Sequence, residues 1–388
     1  MSGDIPILIG ENMQFRDLHK QYELLKKEID LSIQEVIEST SFILGSKEKE
    51  LETKLADYVG RKYCVGVANG TDALELALQI LNIGKGDAVF VPDFTYIASA
   101  ACICRVGATP IFVDVDENTF NIDANDLINK ISIAKKDNKL NLKAIIAVDL
   151  FGQPANYNEL NKIAKINNLK IIEDAAQGFG GNINGKMACC FGDIACTSFF
   201  PAKPLGCYGD GGAVFTDDEE IDKRLRSLRA GGKSPTDKYD NREIGMNSRL
   251  DTIQAAILLP KFKAFVQYEL KDVNKVANWY TDRLKGYVAT PTIMNDYYSS
   301  WAQYTILLKD KQERDMVQSR LKDNDIPSMI YYPRGMHQQY CFKDYNLTDD
   351  MFPTTSSITK HCLALPIDPY KTKDEIDQIC KIIKEALQ

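Results

Sequence analysis

One lysine stands where no surface role accounts for it. Lys203 lies in Thr197-Ser198-Phe199-Phe200-Pro201-Ala202-Lys203-Pro204-Leu205-Gly206, between two prolines and inside an apolar, glycine-flanked turn after a strand-like run. An amine held there is partly desolvated, which lowers its pKa and suits it to Schiff-base chemistry. Three other segments carry groups that could work beside it. Asn69-Gly70-Thr71-Asp72 opens the helical pattern ALELALQIL. A small-residue turn at a helix start presents free N–H groups and the helix dipole to a phosphate, although Thr71 or Asp72 also reads as a plain helix cap. Glu173-Asp174-Ala175-Ala176-Gln177-Gly178 follows the apolar Ile171-Ile172. A carboxylate at the carboxyl end of a buried strand lies where open α/β sheets bind ligands, while Asp174 with Gln177 three residues on also fits a cap and its partner. Gly245-Met246-Asn247-Ser248-Arg249-Leu250-Asp251 precedes a long helical pattern, and its Arg249 could pair with a nearby acid.

The elements that must position these groups are legible as periodicity. Between about residues 62 and 216, short apolar runs at 88–91, 110–113, 144–148, 169–172, 196–200 and 213–215 alternate with helical patterns. Runs of β-branched residues without polar alternation suit strands buried on both faces, with helices as the crossovers. The fold class is therefore α/β, a mostly parallel central sheet sandwiched by helices. A long helical pattern from 251 to about 284 contains Pro260, which should kink or divide it. The domain junction is placed there: a large domain over 13–260 and a smaller α+β domain over 261–388. In the latter, 304–308 reads as a strand, 331–336 as a turn and the end of the chain as a helix. Thr372 and Glu375 form its capping box, and Ile376, Ile379, Cys380, Ile383 and Leu387 its apolar face. The polar stretch 135–143 reads as a loop.

Composition excludes several classes. Lys and Arg number 47 against 54 Asp and Glu, a net charge of −7, and no run of five or six like charges occurs. A nucleic-acid partner normally calls for a basic stripe, so none is expected. The ten cysteines are scattered without a C-x-x-C pair and read as core residues of a reducing cytoplasm. No metal site is expected. The opening MSGDIPILIGENMQF lacks the basic start and apolar run of a signal peptide, and no stretch approaches the ~18 apolar residues of a membrane span. Gly209-Asp210-Gly211-Gly212 leads into a strand, and the chain holds no G-x-G-x-x-G, which argues against a dinucleotide-binding dehydrogenase.

Taken in order, the motifs resemble the DegT-type nucleotide-sugar aminotransferases of pyridoxal-phosphate (PLP) fold type I. They run from Phe42-Ile43-Leu44-Gly45 through Ala68-Asn69-Gly70-Thr71-Asp72-Ala73-Leu74, Pro92-Asp93-Phe94-Thr95-Tyr96, Glu173-Asp174-Ala175-Ala176-Gln177, the Lys203 segment and Asn247-Ser248-Arg249-Leu250-Asp251 to Leu365-Pro366-Ile367-Asp368-Pro369-Tyr370. The resemblance implies that Lys203 holds PLP as a Schiff base and moves protons, that Asp174 keeps the pyridine nitrogen protonated, and that Gln177 meets the ring hydroxyl. It further implies that Tyr96 stacks on the ring, that Gly70, Thr71 and Ser198 hold the phosphate, and that Asn247 reaches the phosphate of a neighbouring subunit in a homodimer with shared sites. A ping-pong exchange with glutamate as amino donor follows from the same likeness.

Within that family the chain is most similar to the branch that aminates C3 of a UDP-2-acetamido-2-deoxy-hexuluronate. The C6 carboxylate of such a substrate needs a cation, for which Arg249 is the candidate and Arg229 and Arg334 the reserves, with Tyr332 and His337 as further substrate residues. The alternative is a 4-keto-6-deoxy or 3-keto-6-deoxy nucleotide sugar. One departure concerns that pocket: Tyr331-Tyr332-Pro333-Arg334-Gly335 stands where many relatives have His-Tyr-Pro followed by Ile-Pro. A PLP sugar dehydratase on the same fold carries His at the Lys203 position, and a non-catalytic regulator has no need of the lysine, aspartate and phosphate segments together.

Overall fold

Six strands with their carboxyl ends on one edge organise the molecule. The computed structural model describes residues 13–388 except 235 and 238, so most of the segment read for a signal peptide, residues 1–12, lies outside the described residues. The strands are β1 (Tyr63–Val67), β2 (Asp87–Pro92), β3 (Thr109–Val113), β4 (Asn141–Val148), β5 (Lys170–Asp174), the two-residue β6 (Asn182–Ile183) and β7 (Lys186–Met187), β8 (Ile194–Ser198) and β9 (Gly212–Thr216). The large sheet has the order β1-β9-β8-β5-β4-β2-β3. Strands β3, β2, β4, β5 and β8 pair in parallel, and β9 is antiparallel to both β8 and β1. Strand β1 therefore points the same way as the parallel five, and the expected mostly parallel sheet has one antiparallel member.

Alternation along the strands divides the core. Val89, Val91, Ile146, Ile172 and Val214 face one side, against Leu74 of α3 (Gly70–Ile80) and Ile103 of α4 (Ala98–Arg105). Phe90, Ile145, Ala147 and Ile171 face the other, against Leu127, Ile131 and Leu160. On that side Ala195, Ala213 and Phe215 meet Leu51, Leu55 and Leu258. Burial on both faces is why these strands read as continuous apolar runs.

The long helical pattern divides five residues later than the proline suggests. Helix Thr252–Ala264 contains Pro260, a wider π turn occupies Phe265–Glu269, and helix Leu270–Leu284 follows. Its second half packs with Tyr304, Ile306, Leu363 and Leu365 and with Ile376, Ile379 and Ile383 of the last helix in a separate core. That helix, Lys373–Ala386, carries the expected capping box between Thr372 and Glu375. Strand Tyr304–Leu307 pairs antiparallel with Cys362–Leu365, a strand the sequence reading left out. The loop at 135–143 shrinks to three residues, because a helix runs to Asp137 and β4 begins at Asn141.

Candidate active site

The strand polarity brings the chemical groups together. Asn69, Asp93, Asp149, Asp174 and Ser198 end or follow within two residues β1, β2, β4, β5 and β8, all at the same edge of the sheet. Asn69 caps α3, its Oδ1 accepting from the Asp72 amide at 2.8 Å, so neither Thr71 nor Asp72 is the cap. The Thr71 hydroxyl has no hydrogen-bond partner among the described residues. Space at this turn suits glycine alone. A Cβ on Gly70 would stand 2.7 Å from the Ser198 Cβ, and one on Gly212 would stand 2.6 Å from the Asn69 carbonyl carbon. The helix start, its free N–H groups and Ser198 thus form a donor-lined cradle suited to an anion such as a phosphate.

Asp174 is 4% exposed. Ser99 Oγ donates to its Oδ2 at 2.7 Å and the Ala176 amide to its Oδ1 at 3.2 Å. No helix begins there, and Gln177 does not reach back to it: Gln177 Oε1 accepts from the Phe151 amide at 2.8 Å and Nε2 donates to Tyr332 Oη at 3.0 Å. Burial pushes Asp174 up from the ordinary carboxylate range, while Ser99, Ala176 and the charge of Lys203 pull it back. A buried carboxylate in that balance is suited to a cationic partner such as a protonated ring nitrogen. Lys203 is displaced the other way: burial lowers its pKa, the Asp174 charge opposes this and the Arg16 charge adds to it. The lysine sits on the turn after β8, its amide donating to the Phe200 carbonyl at 2.8 Å. Tyr96 is 55% exposed, with its ring 6.4 Å from that of Tyr332. A buried carboxylate, an exposed aromatic ring, a lysine and a glycine-lined helix start at one sheet edge are a set of groups that fits PLP, with Asp174 suited to its ring nitrogen and the Gly70 and Ser198 turn to its phosphate.

The substrate candidates separate. Arg334 is exposed and makes no polar contact with another described residue. Arg249 donates through Nη2 to Asn247 Oδ1, so both residues lie together on the segment after Gly245. Arg229 is engaged by buried acids and His337 through both ring nitrogens. Arg229 is 4% exposed, and its Nη1 is taken by Glu48 Oε1 at 2.7 Å, Glu52 Oε1 at 2.8 Å and the Gly66 carbonyl. Its Nη1 is thereby committed to two buried acids. His337 is 6% exposed; its Nδ1 meets Asp93 Oδ2 at 2.5 Å and its Nε2 meets Asp349 Oδ1 at 3.1 Å. It braces the segment from Asp93 to Tyr96 from behind. Sequence reasoning missed Ser99 and Arg16. Ser99 is one small polar residue on a helix, with no signal to mark it, and Arg16 precedes the first recognisable motif.

Three comparisons bear on this geometry. The model of the DegT/DnrJ/EryC1/StrS aminotransferase family matches residues 23–384. The UDP-2-acetamido-2-deoxy-3-oxo-D-glucuronate aminotransferase of Pseudomonas aeruginosa is 41% identical over 369 residues, 95% of this chain and 98% of that protein. The dTDP-3-amino-3,6-dideoxy-alpha-D-galactopyranose transaminase of Aneurinibacillus thermoaerophilus is 38% identical over 95% of this chain and 98% of its own. Among solved structures, a DegT DnrJ EryC1 StrS aminotransferase from Brucella abortus superposes with a TM-score of 0.93 at 42% identity, covering 96% of this chain and 99% of the other.

Proposed function

Since this chain belongs to the DegT/DnrJ/EryC1/StrS aminotransferase family, whose members use PLP, we propose that it moves the amino group of glutamate onto the 3-keto carbon of a UDP-2-acetamido-2-deoxy-hexuronate. The observation that carries the reading is the placement of Lys203, just after β8, and the buried Asp174, at the end of β5, on the same sheet edge as the Gly70 turn. Bound there, PLP supplies an electron sink that lets an amine-bearing carbon lose a proton. Lys203 is the residue that would hold the cofactor covalently through Nζ, and the same amine would serve as the base that moves a proton at the substrate carbon. Asp174 holds the ring nitrogen protonated by a charge-assisted hydrogen bond. Ser99 keeps the Asp174 carboxylate aimed, and Tyr96 covers the ring. The N–H groups at Gly70 and Thr71 and the Ser198 hydroxyl take the phosphate.

The site is read as shared between two subunits. Phe42, Ile43, Leu44, Tyr96, Phe200 and Tyr208 are exposed apolar side chains, and Ile43 bridges to Asp251 beside the Asn247 and Arg249 segment. A second copy covering this ridge buries it and brings its own Asn247 to the phosphate. Arg249 is the cation assigned to the substrate carboxylate, with Arg334 free to meet either that group or the diphosphate. A route to surface glycans in the cytoplasm suits such a product, and among the described residues no helix is long and apolar enough to cross a membrane. The likeness to the dTDP-sugar transaminase favours the second reading, a 6-deoxy keto-sugar.

Single-turnover amination by the glutamate-loaded wild type decides between them. Efficient conversion of the 3-keto-uronate is expected. Turnover of the 4-keto-6-deoxy sugar with none of the uronate overturns the assignment.

A further inference from the structure

Arg16 lies outside the residues that the family model matches, 23–384. Its segment is nevertheless anchored at three points. The Ile367 amide donates to the Phe15 carbonyl at 3.1 Å, the Asp17 amide to Asp368 Oδ2 at 2.9 Å, and the Phe15 ring meets that of Tyr331 edge-on at 6.1 Å. From this base Arg16 Nη1 donates to the carbonyl of Ala202 at 2.7 Å, across 186 residues of sequence.

That carbonyl belongs to the peptide whose N–H is Lys203's own, and the N–H is already bound to the Phe200 carbonyl at 2.8 Å. Both ends of one rigid peptide plane are therefore held, which fixes the N–Cα bond about which the Lys203 side chain is oriented. The rest of the turn is closed by bonds from Cys207 to Phe199 and from Phe199 to Gly211, each 2.8 Å, and Leu205 is buried in the core, so Arg16 adds a hydrogen-bonded tie to a distant segment. Arg16 and Lys203 also line the same cleft, with Gln21, Glu269, Asp368 and Tyr370. Two charges act on the amine, Asp174 and Arg16. The acids of the cleft act on Arg16 instead, and Glu269 is itself engaged by Gln21 and Tyr370.

We propose that Arg16 is a positioning residue for Lys203, fixing the peptide plane that aims the amine and placing a fixed cation beside it to balance Asp174. The inference rests on the reading of Lys203 as the amine that joins the cofactor. Its test uses cofactor-free protein. Trace acetylation with acetic anhydride, followed by mass spectrometry across a pH series, gives the titration midpoint of Lys203. Amide exchange of the 200–206 turn is followed in parallel. Burial lowers the midpoint in the wild type. Arg16→Met should raise it by about half a pH unit and speed exchange at the Lys203 amide by about tenfold, because a cation and a tie are both lost. Arg16→Lys, which keeps the charge and one donor, should restore the midpoint. A depressed midpoint that Arg16→Met leaves in place, with unchanged exchange, overturns the inference alone. An ordinary lysine midpoint in the wild type removes the premise and the inference together.

Discussion

Glu48→Gln should make the protein more stable at pH 8 and leave it nearly unchanged at pH 5. Glu48 is 1% exposed; its Oε1 shares Arg229 Nη1 with Glu52, and its Oε2 has no partner among the described residues. Burial, opposed by Arg229 and assisted by Glu52, pushes its pKa from 4.5 up to about 7. Between those values the folded chain keeps a proton that the unfolded chain has released, so unfolding free energy falls as pH rises through the window. Above it the full cost is present: the interval from 4.5 to about 7, at ~1.36 kcal/mol per pH unit, gives about 3 kcal/mol. Glutamine keeps the acceptor to Arg229 and carries no charge to desolvate, so the variant recovers this amount at pH 8 and little of it at pH 5. With an unfolding entropy of ~2.1 cal/mol/K per residue over 388 residues, that is about 4 °C in Tm. Calorimetry of wild type and variant at pH 5, 6, 7 and 8 measures it. A variant less stable than wild type at pH 8 refutes the argument, because it means that Arg229 stabilises the ionised Glu48 by more than its burial costs. A pH-independent difference refutes the titration.

Gly70→Ala places a methyl 2.7 Å from the Ser198 Cβ and 3.3 Å from its Cα, so the helix start must withdraw from the cradle. Titration of cofactor-free protein with PLP should show at least about tenfold weaker binding, ~1.4 kcal/mol, with secondary structure intact; unchanged affinity removes the phosphate from this turn. Asp174→Asn keeps the shape and the Ser99 contact but not the charge. Its kcat/KM should fall by well over tenfold, and a loss below about tenfold, ~1.4 kcal/mol of barrier, reduces Asp174 to a structural residue.

The parts legible in the sequence were those with a periodic or compositional signature. The runs at 88–91 and 144–148 announced β2 and β4 because both their faces are buried. Lys203 was legible because two prolines and an apolar turn leave a lysine no solvated face. Roles set by long-range partners were not legible. Nothing local distinguishes Arg229, which meets Glu48 and Glu52 at separations of 181 and 177 residues, from Arg334, which is exposed. The partner of His337 was hidden for the same reason, since Asp93 lies 244 residues away. Pro260 marked the helix break only approximately, because a proline can stay inside a helix whose neighbours satisfy the freed groups, and the turn widened at Phe265–Glu269 instead.

Three buried acids at the carboxyl edge show how the fold keeps one of them for chemistry. Glu173 spends its charge internally, accepting from the Cys189, Phe191 and Gly192 amides at 2.5, 2.7 and 3.1 Å. Asp149 accepts from the Ala155 amide at 2.9 Å and Tyr157 Oη at 2.8 Å, while its Oδ2 has no partner among the described residues. Burial and the neighbouring Glu173 drive it well above the carboxylate range, which favours the protonated form. Two adjacent charges are thus absorbed or neutralised, as burial of several carboxylates requires. Asp174 has a hydroxyl and one amide, fewer donors than Glu173, and among its determinants is the charge of Lys203. Its remaining need is for a cation, a role that a protonated ring nitrogen would fill in the proposed reading. In the proposed reading the unmet part of its solvation would be a source of cofactor affinity, and replacing it with a neutral amide should weaken PLP binding while leaving the neighbouring acids as they are.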